Sequence, residues 1–346
     1  MKYTGRFNIQ YKVQSRQLSK FHVDAHYCAA LFRYTRLFGI KFKNYTSFIC
    51  ADDKHKVPIG EGIATSTGVR NKKSLILAGM DLTSSDHDYT KLSLTPSVML
   101  FSEIPNKISD SFYNGQVYVS YKDTVFQPST AIRHASEFFN TMMEYYNTKL
   151  PEMLILYTDG GPDHRTTFGS VQISLICLFL QGDFDFLASV RTAPYHSWMN
   201  PAERVMSIVN LALQGVSLEC EKMDDVLEDI FKGKNTLEEI RNAAKNNGLL
   251  KVKLKESIQP IQRLLNERTS RLSLNDKNFR TKRPDFEFQI DNIFEVNFKM
   301  IFIFIFSFLL LILLYFYRKF IDLIVHYNLL KHLLICYKNM NCFNLF

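Results

Sequence analysis

Read for apolar periodicity, the chain alternates short apolar runs with helical stripes. From Ser19 to Phe38 the apolar residues Phe21, Tyr27, Cys28, Leu31, Phe32 and Phe38 fall on one helical face, with Ser19 as a start signal and Gly39 as a stop. The runs at 45–52 (YTSFICAD), 74–81 (SLILAGMD), 153–159 (MLILYTD) and 184–190 (FDFLASV) predict buried strands. A further strand lies in 97–101 or in 116–122, and the pattern does not choose between them. Helices are expected over 130–147, 166–181 and 201–215, the last opened by Pro201, whose fixed φ and missing N–H suit a first helical position. Strands first and then alternating strands and helices predict an α/β fold, a mixed sheet with helices packed on it.

This order divides the chain into five parts. Residues 1–44 form a basic arm and helix, 45–215 an α/β domain, 216–275 a charged helical region and 276–298 a polar linker; 299–346 is a hydrophobic tail. Residues 300–317 are 18 in a row without a charge, the lower limit for a transmembrane helix. The same tail has a second reading as mistranslated sequence, because 37 of its residues from 300 to 346 are Phe, Ile, Leu, Asn, Lys or Tyr, all encodable by A and T alone.

Charge adds a partner class. Nine Lys and Arg stand against the single acid Asp24 in residues 1–45, which equals the whole excess of +8. A basic arm of this kind, carrying Arg6, Lys12, Arg16 and Lys20, suits a polyanion such as DNA. With 46% hydrophobic residues the chain is not disordered. The six cysteines have no CxxC spacing, which argues against a disulfide framework or a cysteine zinc site. The opening residues contain no apolar h-region of a secretory signal.

Three carboxylates stand out by position. Asp52 ends the first strand with Asp53 beside it, Asp159 ends the 153–159 strand, and Glu203 lies in the first turn of the last helix. Neighbouring strands would bring the aspartates to one sheet edge and the helix would add the glutamate. Three acids there repel unless a cation sits among them, and hard oxygen donors suit Mg²⁺ or Mn²⁺. Strand alternation sends Asp52 and Asp53 to opposite faces, so only one of them is expected to bind metal, and the sequence leaves the choice open. Lys54, His55, Lys56, His164, Arg165 and His196 crowd these acids and are candidates for holding phosphates.

The segment TAPYHSWMNPAERVMSIVNLAL (192–213) resembles the run into the glutamate helix of mariner-like transposases. YTDGGPDHR (157–165) is similar to the Asp-Asn-Gly turn of integrases, with Gly160 where asparagine is usual. With FICADDKHKVPIGEG (48–62) these motifs resemble the ribonuclease-H-like DDE transposase and integrase superfamily and a group of transposon-derived proteins, over roughly residues 10–275. The resemblance implies a ribonuclease-H-like mixed five-stranded sheet and a metal-dependent polynucleotidyl transferase that nicks DNA and joins strands in DNA integration and recombination. It implies a triad of Asp52 (or Asp53), Asp159 and Glu203 with two Mg²⁺ or Mn²⁺ ions, DNA and a homo-oligomer as partners, and action in the nucleus. Alternatives are a truncated or inactive copy, a non-catalytic DNA-binding relic of the same fold, or a membrane-anchored protein held through 300–317.

Overall fold

The computed structural model describes residues 9–13, 21–59, 61–64, 73–77, 92–147, 149–214, 216–218, 220–232, 234 and 236–284. The hydrophobic tail 299–346 lies outside them. No helix among the described residues is long and apolar enough to cross a membrane.

The central sheet runs β6(Arg280–Lys282), β3(Gly115–Asp123), β2(Ser93–Ser102), β1(Thr46–Asp53), β4(Met153–Thr158) and β5(Phe186–Arg191), with a seventh piece, Val57–Pro58, pairing with β2. β2 is antiparallel to β1 and to β3, whereas β4 is parallel to both β1 and β5. The five strands run in the order 3-2-1-4-5, a mixed sheet of the kind the sequence resemblance implies, extended by β6 on the outer side of β3.

The two alternative strands, 97–101 and 116–122, are both strands of this sheet. The 74–81 run is not in it: Lys73–Leu77 pairs antiparallel with Ile9–Val13 as a separate ribbon. The polar stretch expected to be a linker supplies β6, parallel to β3. An edge strand needs only backbone pairing on one side, so its polar sequence carries no strand signal.

Helices cover both faces. Along β1, Phe48 and Cys50 point to one side and Ile49 and Ala51 to the other, because side chains alternate with a period of two. The first side packs on α1(Ala25–Lys41), α4(Pro201–Leu213) and α7(Gly248–Thr269), through residues such as Phe32, Val205, Val209, Leu254 and Ile258. There Phe32 stacks on Tyr157 with ring centroids 3.8 Å apart. The second side packs on α2(Ala131–Tyr146) and α3(Gly169–Gln181), through Phe138, Met142 and Leu178. α1 begins later than Ser19, with Asp24 at its N-cap position.

The charged region after α4 forms α5(Asp225–Phe231), α6(Leu237–Asn246) and α7. It is not a separate layer. Leu254, Ile258, Ile261 and Leu265 of α7 share a core with Val98, Leu100 and Val119 of the sheet. Polar clamps fix the same docking: Tyr121 and Thr269 share a hydroxyl hydrogen bond of 2.6 Å, and Arg241 donates to the carbonyls of Val125 (2.9 Å) and Thr124 (2.7 Å).

Candidate active site

The alternation that sorts the core also sorts the acids. Asp52 continues the Phe48–Cys50 side of β1, facing α4, and Asp53 continues the Ile49–Ala51 side, facing α2. On β4, Ile155 and Tyr157 belong to the first side, so Asp159, one residue past the strand, follows Asp52. β1 and β4 are parallel with Ala51 opposite Thr158, which puts Asp52 and Asp159 at the next step of the register.

α4 brings the third acid to the same edge. Its N-terminus is fixed by Asn200, which is fully buried. The Asn200 amide donates to the Ala51 carbonyl at 2.9 Å, and its side-chain oxygen accepts from the Ala202 N–H at 3.1 Å. One side chain therefore caps α4 and ties it to the residue preceding Asp52. Glu203, in the first turn, shares a side-chain hydrogen bond with Asp52.

The electrostatics of this meeting are unfavourable for bare carboxylates. Asp52 is 5% exposed, and burial first, then the charges of Asp159 and Glu203, push its carboxyl well above the usual range. Burial also raises Asp159, against the Gly161 N–H that donates to its Oδ1 at 2.9 Å. Two aspartates pushed toward their neutral forms, with the Glu203 carboxylate beside them, fit a divalent hard cation, which would restore the charged forms.

The loop after β4 is shaped for this. Gly160 has φ of +77°, and a Cβ there would sit 3.0 Å from Cδ of Arg191. The left-handed conformation explains both this glycine and the asparagine usual at that point, since these residue types enter that region most readily.

Asp53 sits in different company. Its Oδ1 lies 3.5 Å from Nζ of Lys122, its Oδ2 lies 3.4 Å from Nε2 of His134, and Ser129 donates a short hydrogen bond to Oδ2. Burial alone would raise this carboxyl, but Lys122 and His134 hold it well below the usual range. Lys122 is itself fully buried and also pairs with Glu137 at 3.2 Å. Asp53 is thus an ion-paired acid on the α2 side, and Asp52 is the member of the pair that meets Asp159 and Glu203.

The basic candidates are dispersed. Lys54 and Lys56 are half-buried and His55 is exposed on the segment after β1. Arg165 is exposed, its guanidinium over the Phe168 ring at 5.1 Å. His196 is half-buried next to the exposed Trp198, with ring centroids 6.2 Å apart. His164 is 8% exposed and turned toward His134, which takes it away from the surface where a phosphate would bind. Lys12 falls in the strand Ile9–Val13, and Arg6, Arg16 and Lys20 lie outside the described residues.

Sequence reading missed Asn200, Lys122, His134 and Glu137. Asn200 carried a usable signal, an asparagine directly before a helix-opening proline. Lys122 had a weaker one, a lysine on the Tyr118–Ser120 side of an otherwise buried strand. The four described cysteines, Cys28, Cys50, Cys177 and Cys220, are free thiols.

Fold and site together define a ribonuclease-H-like α/β protein with three carboxylates gathered at one sheet edge. Among solved structures, the chain is similar to a pre-cleavage Mos1 transpososome, at 14% identity over 76% of this chain and 67% of that one, with a TM-score of 0.35. The Mos1 mariner paired-end complexes with Mn (13% identity, TM-score 0.31) and with Mg (15%, 0.33) match over the same shares. No family model and no curated protein matches the chain. At such distances the likeness assigns neither residues nor activity, and the chemistry is read from this chain's own geometry.

Proposed function

We propose that the chain is a metal-dependent nuclease and strand transferase of the DDE type acting on DNA, with Asp52, Asp159 and Glu203 as its metal-holding carboxylates. The observation that carries this reading is the convergence of these three acids, from β1, β4 and α4, in a buried spot where each of the two aspartates is pushed toward its neutral form. The sequence resemblance of 48–62, 157–165 and 192–213 to DDE transposases points the same way, and the basic excess in residues 1–45 suits a DNA partner.

Bound there, Mg²⁺ or Mn²⁺ would activate a water or a 3′-hydroxyl and stabilise the leaving oxygen of a phosphodiester. The chain's own contribution is positional. β1 and β4 set the two aspartates side by side, Asn200 holds the glutamate helix against β1, and the Gly161 N–H orients the Asp159 carboxylate. Arg165 and His55, exposed near the acids in sequence, are suited to phosphate contact.

The test is nicking of supercoiled plasmid DNA by the purified full chain with Mn²⁺ or Mg²⁺. Asp159→Asn and Glu203→Gln are expected to abolish nicking while leaving the circular dichroism spectrum unchanged. Cleavage by both variants at the parent rate would overturn the assignment. DNA binding without cleavage by the parent would favour the non-catalytic relic.

A further inference from the structure

On the α2 side of the sheet lies a second polar cluster that the nuclease reading does not use. Asp53, His134 and Asp163 each offer one ligand atom, and these atoms all lie within 4.8 Å of one another. The Asp53 Oδ2 to His134 Nε2 separation of 3.4 Å is close to the spacing of about 3.3 Å between donors around a tetrahedral ion with 2.0 Å bonds. A fourth donor stands beside them. The His164 ring lies 4.3 Å from the His134 ring by centroids, and its Nε2 is buried with no hydrogen-bond partner.

His134, Asp163 and His164 line a cavity of about 20 Å³, together with Thr158, whose hydroxyl is likewise buried and unpartnered. That volume holds one water or one ion and no organic ligand. The charges lean the same way. Asp53, Glu137 and Asp163 are three carboxylates, and Lys122, in contact with Asp53 and Glu137, offsets one of them. Lys56, half-buried, adds a weaker pull on Asp163. The cluster keeps a net negative charge, which a bound cation would offset. Lys122 Nζ also lies 3.3 and 3.4 Å from the two His134 nitrogens, so it is the cluster's own competitor for that role.

We propose that Asp53, His134, Asp163 and His164 form a second metal site, selective for a zinc-class divalent ion and separate from the three-carboxylate edge. Two imidazoles with two carboxylates favour a borderline ion such as Zn²⁺ over Mg²⁺, which prefers an all-oxygen shell. Its role is structural: the four ligands come from β1, α2 and the loop after β4, so the ion ties the strand that carries Asp52 to the loop that follows Asp159. The inference does not depend on the nuclease reading.

The full chain would be stripped with chelator, dialysed and titrated with Zn²⁺ against a chromophoric chelator, with Co²⁺ absorption as a second probe. The expected result is one Zn²⁺ per chain, a tetrahedral Co²⁺ spectrum, and affinity lowered tenfold or more in His134→Gln and in His164→Gln. Asp159→Asn, which removes a carboxylate of the other site, is expected to keep Zn²⁺. Should His134→Gln not fold, His164→Gln and the Co²⁺ spectrum of the parent carry the test. Absence of stoichiometric Zn²⁺, or binding by both histidine variants equal to the parent's, overturns the proposal. Zn²⁺ lost in Asp159→Asn but kept in the histidine variants would overturn it too, by placing the ion at the three-carboxylate edge.

Discussion

Asp123 ends β3 on the side facing α6 and α7, where it is 4% exposed. Its Oδ1 accepts the Val125 N–H at 2.8 Å, but burial outweighs this bond, and its pKa is raised from 3.8 to about 6. Because the folded value is the higher one, the native state holds the proton more tightly than the unfolded chain. The stability this provides is complete below about pH 4 and is lost as pH rises through about 6. A shift of about 2 units corresponds to about 3 kcal/mol, at 1.36 kcal/mol per unit. Asp123→Asn removes the titration while keeping an oxygen for the Val125 N–H. Urea unfolding of both proteins at pH 4, 5, 6 and 7 isolates the effect, since other titrations cancel in the difference. The variant is expected to gain about 2 kcal/mol relative to the parent between pH 4 and pH 7, because the unfolded carboxyl is already partly ionised at pH 4. A difference that stays flat, or falls with pH, would refute the reasoning.

Other perturbations test the parts that position the site. Asn200→Ala removes a helix cap and strands the Ala51 carbonyl, and urea unfolding is expected to show a loss of about 2–4 kcal/mol. Lys122→Met leaves Asp53 and Glu137 buried without their shared cation, and a loss of about 3–5 kcal/mol is expected. Adding Glu137→Gln to it should return part of that loss in the same measurement. Gly160→Ala forces a β-carbon into a left-handed residue against Arg191, with an expected cost of about 1–2 kcal/mol, and Gly160→Asn is expected to cost less.

Much of the fold was legible because buried strands of an α/β sheet are unbroken apolar runs. MLILYTD and FICADD announced β4 and β1, and both end where their acids stand. The 74–81 run has the same look, yet pairs away from the sheet, since local apolarity does not specify a partner strand. The strand expected in 97–101 begins earlier, at Ser93, and includes Pro96, a residue that removes a ladder hydrogen bond. In the structure β1 pairs with β2 only as far as Ser97, and Val57–Pro58 pairs with it again from Leu94, so Pro96 falls between two ladders. The three acids of the site were visible through their positions at element ends. The choice between Asp52 and Asp53 was not. It depends on which face of β1 meets α4, a tertiary fact, and parity along β1 and β4 then puts Asp52 on the face of Asp159. The Lys122 cluster was hidden for a similar reason, because its members come from β1, β3, α2 and the loop after β4 and share no sequence spacing.

The central claim is that Asp52, and not its neighbour Asp53, belongs to the metal-holding edge with Asp159 and Glu203. Titration calorimetry with Mg²⁺ on the full chain and on Asp52→Asn and Asp53→Asn tests it most directly, Mg²⁺ being chosen because it avoids imidazole ligands. The account predicts that Mg²⁺ binding is lost in Asp52→Asn and kept in folded Asp53→Asn. Binding that survives in Asp52→Asn and disappears in Asp53→Asn would contradict it.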